Sequence, residues 1–255
     1  DIVRTLSRAR LRLATRRKPL ASFLFVGPSG VGKTALGRAL ATALYQSEHA
    51  LIKFDMSEFS ESHSVSKLLG SPAGYVGYRE RNRFTDELKK RPHSVILFDE
   101  FDKAHPDVQK LLLQILDEGE LTDSQGGKVF FHETVIILTT NLGAEYYGSR
   151  RLGFTRGDDR EAAKDMTSLI LAKLKEYFGT ALLSRLETVC FFQPLGPDHV
   201  LEITRRHIAR LSAELAKRHR IEITPDDRAL QALLPNVYSK DDGVRHLDAV
   251  IHEAV

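Results

Sequence analysis

The chain has 255 residues, of which 42% are hydrophobic and 28% charged, with a formal net charge of +3. That is room for one large domain or two modest ones, and the charge is too small to argue for nucleic acid. No apolar run approaches the roughly 20 residues that span a bilayer, the opening Asp1-Ile2-Val3-Arg4 lacks the apolar segment of a secretory leader, and Cys190 is the single cysteine, so a reducing, cytoplasmic setting is expected.

Residues 2 to 15 read as an amphipathic helix with Leu6, Ala9 and Leu13 on its apolar side. Arg4, Arg8, Arg12 and Arg16 recur every four residues and share one face. No aromatic residues interleave with them as a nucleic-acid track would require. A solvated or subunit-facing surface is the expectation. Phe23 to Val26 is a short apolar strand, and residues 33 to 46 return to helical spacing. Further strands are expected at Leu51 to Phe54, Ser94 to Phe98, Thr134 to Thr139 and Val189 to Phe192. Such continuous apolar runs suit parallel strands covered by helices on both faces. Helical segments fall near residues 62 to 69, 81 to 91, 105 to 117 and 161 to 178. Gly119 to Phe131 reads as a hairpin or long loop, and Gly148 to Asp159 as exposed loop. Pro194, Gly196 and Pro197 interrupt the chain. Helices then follow at about 198 to 218, 226 to 235 and 242 to 254, with a short strand expected at Ile221 to Ile223. The fold class is therefore α/β, with a larger domain over residues 1–194 and a small, mostly helical one over 195–255.

Gly27-Pro28-Ser29-Gly30-Val31-Gly32-Lys33-Thr34 fits the phosphate-binding pattern G-x-x-x-x-G-K-[ST]. Glycines let backbone N–H groups curl around phosphate oxygens, and the helix that follows points its positive end at them. Lys33 supplies a charge to the β and γ phosphates, and Thr34 offers a hydroxyl to Mg²⁺. Val95 to Phe98 leads into Asp99-Glu100. An acidic pair at the C-terminal edge of a parallel sheet lies where such sheets bind ligands. Asp99 is the second metal donor, and Glu100 the base that polarises a water. ATP and Mg²⁺ are the implied cofactors. The ten histidines show no zinc spacing, there is no G-x-S-x-G elbow, and Cys190, followed by Phe191 and Phe192, is expected in the core.

More specific text surrounds these motifs: Asp55-Met56-Ser57-Glu58-Phe59, Gly70-Ser71-Pro72-Ala73-Gly74-Tyr75-Val76-Gly77-Tyr78, Lys103-Ala104-His105-Pro106-Asp107-Val108, Leu121-Thr122-Asp123 and Thr139-Thr140-Asn141-Leu142-Gly143. Together they closely resemble the second nucleotide-binding module of Clp-type AAA+ unfoldases, over nearly the whole chain and most strongly from Ser22 to Gly143. The resemblance implies a P-loop AAA+ domain with a five-stranded parallel sheet flanked by helices, then a small helical domain, the whole being a piece of a longer protein. It implies that Asn141 is the sensor beside Glu100, that Arg185 is the arginine finger reaching a neighbouring subunit's nucleotide, and that Arg245 is the second sensor. Ile2 and Val3 are its candidates for the adenine pocket, Gly74-Tyr75-Val76-Gly77 for a substrate-gripping pore loop, and Leu152-Gly153-Phe154 for docking a Clp peptidase. The implied activity is ATP-driven threading of a polypeptide through a ring, most simply a hexamer. The alternatives are a disaggregase without a peptidase, a DNA-remodelling ATPase and an ATP-gated scaffold. Three places depart from the family pattern: the basic Arg79 to Arg83, the segment Phe178 to Ser184 before the finger, and Gly243-Val244-Arg245-His246.

Overall fold

A computed structural model of the chain describes residues 2–11, 17–61, 68, 83–123, 126–148, 159–237, 243–244 and 247–254. Contacts divide it into two compact units, one of residues 1–26 and 33–191, the other of 27–32 and 192–255.

The first unit is built on a parallel sheet. Its strands are β1 (Ala21–Val26), β2 (Leu51–Asp55), β3 (Ser94–Asp99), β6 (Thr134–Thr140) and β7 (Thr188–Phe191), in the order β2-β3-β6-β1-β7. Every residue of β1 and β6 is buried, and β3 is buried up to Phe98. This explains their unbroken apolar runs: with helices on both faces there is no wet side to alternate toward. The outer strands differ. β2 alternates, with Ile52 and Phe54 buried and Lys53 exposed, and all four residues of β7 are half-buried. Cys190 therefore sits half-buried on an outer strand, short of the core position expected for it. Because all five strands run the same way, their C-terminal ends line one edge of the sheet.

The connecting helices are α1 (Ile2–Leu11), α2 (Lys33–Tyr45), α3 (Arg83–Lys90), α4 (Pro106–Glu118), α5 (Glu145–Gly148) and α6 (Asp159–Leu183). Local chemistry sets their limits. His105 accepts the Asp107 N–H, Pro106 opens α4 where no intrahelical N–H is needed, and Gly119 closes it in a left-handed conformation. α6 breaks at Gly179 (φ 74°, ψ 159°), directly after the helical spacing of the sequence runs out. The segment 119–131 forms a hairpin of β4 (Glu120–Thr122) and β5 (Lys128–Phe130). The Asp123 carboxylate, 2% exposed, accepts from the Gly127 N–H at 2.7 Å and from Lys89 of α3 at 2.5 Å. Phe54, Phe84, Phe98, Phe101, Phe131 and Phe178 interlock with ring centroids 5.2–6.3 Å apart, the separation at which offset and edge-on aromatic pairs are favourable. The helix expected at 62–69 and the loop at 148–159 lie almost wholly outside the described residues; Leu68, which is helical, is 1% exposed.

The second unit contains α7 (Pro197–His219), α8 (Asp227–Val237) and α9 (Leu247–Ala254) around Val200, Ile208, Leu230, Val237, Leu247 and Ile251. α8 runs two residues past Pro235, which has no N–H to offer the Gln231 carbonyl, and ends there. Ile221 to Ile223 is not a strand. The Ile223 N–H is satisfied by the Ser212 hydroxyl at 2.8 Å, so the segment returns along α7 as irregular chain, with Ile221 52% exposed.

Candidate nucleotide site

Residues Gly27 to Gly32 leave β1 and lead into α2. Gly27, Gly30 and Gly32 have φ of 155°, 69° and 96°, which side chains rarely adopt. A Cβ on Gly27 would stand 2.4 Å from the Phe192 carbonyl oxygen, and Gly243, two residues before Arg245, lies so near Gly30 that a Cβ there would approach its backbone to 2.8 Å. Pro28, Ser29 and Val31 are half-buried. The loop is thus the bare-backbone turn that the phosphate pattern requires.

Lys33 and Thr34 open α2. Lys33 is 8% exposed, and its ammonium donates to Asn141 Oδ1 at 2.8 Å, joining the start of α2 to the end of β6. The Thr34 hydroxyl faces Asp99 Oδ2 at 3.4 Å. The other oxygen of Asp99 accepts from Thr139 Oγ1 at 2.5 Å, and that same hydroxyl accepts the Glu100 N–H at 3.0 Å. Thr139, 1% exposed, therefore ties both acidic residues to the sheet. Glu100 is held with φ 52° and ψ 49°, a left-handed conformation unusual for a residue with a Cβ. Such conformations persist where the surroundings impose them. Burial pushes the Asp99 carboxyl up, but the contacts from Lys53, Thr139 and Thr34 outweigh it and hold the group below its ordinary value of 3.8. Asp99 is an ionised hard oxygen donor opposite a hydroxyl, which fits a divalent cation. Among the described residues no three His, Cys, Asp or Glu side chains gather to hold a metal unaided.

Of the expected site residues, Lys33, Thr34, Asp99, Glu100 and Asn141 lie together at the C-terminal edge of the sheet. Arg185 follows α6; its Nε donates to Asp117 Oδ2 at 2.6 Å and a terminal nitrogen to the Ala181 carbonyl at 2.7 Å. Ile2 is half-buried, while Val3 is 76% exposed. Arg245, Gly74 to Gly77, Leu152 to Phe154 and Arg79 to Asn82 lie outside the described residues. Two further residues at the site escape sequence reasoning. Thr139 has a visible signal, a hydroxyl at the end of the apolar run Val135 to Leu138. Lys53 has none beyond its place on an alternating strand. Its ammonium stands 2.6 Å from Asp99 Oδ2.

Residues 18–189 match the AAA domain family (Cdc48 subfamily), and residues 195–255 match the C-terminal D2-small domain of ClpB. Similar curated proteins include the ATP-dependent Clp protease ATP-binding subunit ClpA homolog of Pyropia yezoensis, 42% identical over 96% of this chain and 30% of that protein. The chaperone ClpC1 of Arabidopsis thaliana chloroplasts is 42% identical over 98% of this chain and 27% of its own length, and ClpB of Oceanobacillus iheyensis 38% identical over 100% and 31%. This chain therefore spans less than a third of these relatives. Among solved structures, the Saccharomyces cerevisiae Hsp104–ADP complex superimposes with a TM-score of 0.83 at 35% identity, over 99% of this chain and 42% of that one. Hsp104 with ATPγS and FITC-casein gives 0.82 at 34% identity, over 100% of this chain and 44% of that one. The family matches cover nearly the whole chain, and the chain belongs to this family: it is a nucleotide-binding module of the Clp type, an AAA ATPase domain followed by a ClpB D2-small domain.

Proposed function

We propose that the chain binds ATP, hydrolyses it and uses the cycle to pull polypeptide through a ring of like subunits. Residues 27–34 cradle the triphosphate, with Lys33 on the β and γ groups. Thr34 and Asp99 would hold Mg²⁺, which when bound neutralises charge on the phosphates. Glu100 takes the proton of the attacking water as its oxygen bonds to the γ phosphorus and ADP departs. Asn141 orients that water. Arg185 reaches the nucleotide of an adjoining subunit, and Arg245 meets the phosphates from the small domain. The division into residues 1–194 and 195–255 is supported by family matches that end at 189 and begin at 195. Tyr75 within Gly74 to Gly77 grips the substrate, a reading supported by the casein named with Hsp104. The match of residues 195–255 to ClpB favours remodelling without a peptidase. The relatives named as Clp protease subunits favour docking through Leu152-Gly153-Phe154.

The observation that carries the catalytic reading is the connected set Lys33–Asn141 and Thr34–Asp99–Thr139–Glu100. Glu100→Gln keeps the shape of the site but removes the base. It is expected to bind ATP as tightly as the parent chain and to turn over slower by about 10²–10⁴-fold. Steady-state phosphate release, alongside binding of a fluorescent ATP analogue, checks this. Undiminished turnover in the variant sinks the assignment.

A further inference from the structure

We propose that Lys53 is a built-in competitor of the divalent metal at Asp99, and so sets how strongly that metal strengthens nucleotide binding. The proposal rests on the reading of Thr34 and Asp99 as the metal's protein donors. Lys53 lies on the outer strand β2, opposite Leu97, two positions before the Asp55–Asp99 pair in register. It has two acids within reach of this edge. The nearer in sequence, Asp55, already accepts the Ser57 N–H at 3.0 Å and the Ser57 hydroxyl at 2.7 Å, capping the turn Met56–Phe59. Lys53 pairs with Asp99 instead, and with one particular oxygen. Oδ1 is occupied by Thr139 at 2.5 Å; Oδ2 is the oxygen turned toward Thr34, and the ammonium stands on it at 2.6 Å.

A divalent ion held by that oxygen would draw on the lone pairs that the ammonium, 2.6 Å away, already uses, and two positive charges so close together would repel each other. Lys53 must swing away, and it has the means: its side chain is 44% exposed and ends a flexible four-carbon stem. Metal binding therefore includes the breaking of an ion pair to a carboxylate that is only 17% exposed. Lys53 keeps the charge of Asp99 compensated, and it weakens the metal's hold by the strength of the pair it must leave.

The test compares the affinity for fluorescent ADP in excess Mn²⁺ with that in EDTA; their ratio is the metal's contribution. Lys53→Met should raise the ratio by roughly fivefold, the worth of a partly exposed ion pair, and Lys53→Gln should do the same. Lys53→Arg should stay near the parent. Asp99→Asn should lower the ratio, and in that background Lys53→Met should change nothing. Circular dichroism melts establish that each variant is folded. If Asp99→Asn lowers the ratio but Lys53→Met and Lys53→Gln leave it unchanged or lower it, the competitor is overturned and the metal site stands. If Lys53→Met acts equally in the Asp99→Asn background, its effect does not pass through the carboxylate and the proposal is again overturned. If Asp99→Asn leaves the ratio unaltered, the metal reading and the proposal fall together.

Discussion

Strands β1, β3 and β6 leave almost nothing to solvent, while the C-terminal helices bury only stripes. α7 hides Val200, Thr204, Ile208 and Ser212, one residue in four along its inner side, and two of these are polar. Thr204 satisfies itself on the Val200 carbonyl, and Ser212 on the Ile223 N–H. Among the described residues, the buried cluster of that unit is six residues, against the continuous core of aliphatic and interlocked aromatic side chains around the sheet. The sheet can thus hold the side chains at its edge firmly in place, because closely packed strands have little room to shift. The helical unit can reshape itself at lower cost.

The strongest way to break this contrast is to empty one position in each region. Phe98 is 3% exposed, contacts Phe54, Phe84 and Phe101, and immediately precedes Asp99. Phe98→Ala should cost about 3–5 kcal/mol of stability in denaturant melts, and should weaken nucleotide binding as well. Leu230, 1% exposed in the smaller cluster, should cost about 2–3 kcal/mol as Leu230→Ala, because a shallow core collapses more readily into the gap. A larger loss at Leu230 than at Phe98 would reverse the ranking.

A finer probe is Thr139, where the rigid strand meets the chemistry. Thr139→Val keeps the shape but removes the hydroxyl that serves the Asp99 carboxylate and the Glu100 N–H. The loss should be about 1–3 kcal/mol, with turnover falling on the order of tenfold or more. Thr139→Ser should restore most of the turnover even though it lacks the methyl group. A purely structural residue would behave otherwise: both variants would then lose activity in proportion to their loss of stability.

The same positions separate what a linear sequence can reveal from what only folding creates. β1, β3 and β6 are legible because burial on both faces demands unbroken apolar runs, whereas β7 begins and ends one residue ahead of its apolar pattern because its half-buried residues carry a weaker signal. Ile221 to Ile223 misleads because an apolar–polar–apolar triplet resembles a strand, while in the fold Ser212 takes the backbone donor. Lys33 and Thr34 are legible because phosphate chemistry fixes their spacing within the glycine-rich pattern, and Asp99 and Glu100 because two acids close an apolar strand. Lys53 and Asp117 are not, because their roles come from pairings through space. Lys53 of β2 reaches Asp99 on the neighbouring strand β3, and Asp117 meets Arg185 from 68 positions away.

The smallest effect concerns the outer strand itself. Among the described residues, β7 pairs only with β1, over four residues, and Cys190 lies opposite Phe25. Burial pushes the Cys190 thiol above its ordinary value of 9.0, so at pH 8 less of it is thiolate than in an exposed cysteine, and the thiolate is the reacting form. Alkylation by iodoacetamide at pH 8 should therefore be slower than for a free cysteine, with a rate–pH profile displaced upward. The direction is diagnostic, since a strand that peeled away from β1 would return both the rate and the profile to those of the free thiol. Labelling in low denaturant extends the comparison. If outer strands are the softer part of the sheet, Cys190 becomes reactive before the core around Phe98 melts. Simultaneous onset would mean that β7, despite its exposure, is held as firmly as the strands it flanks.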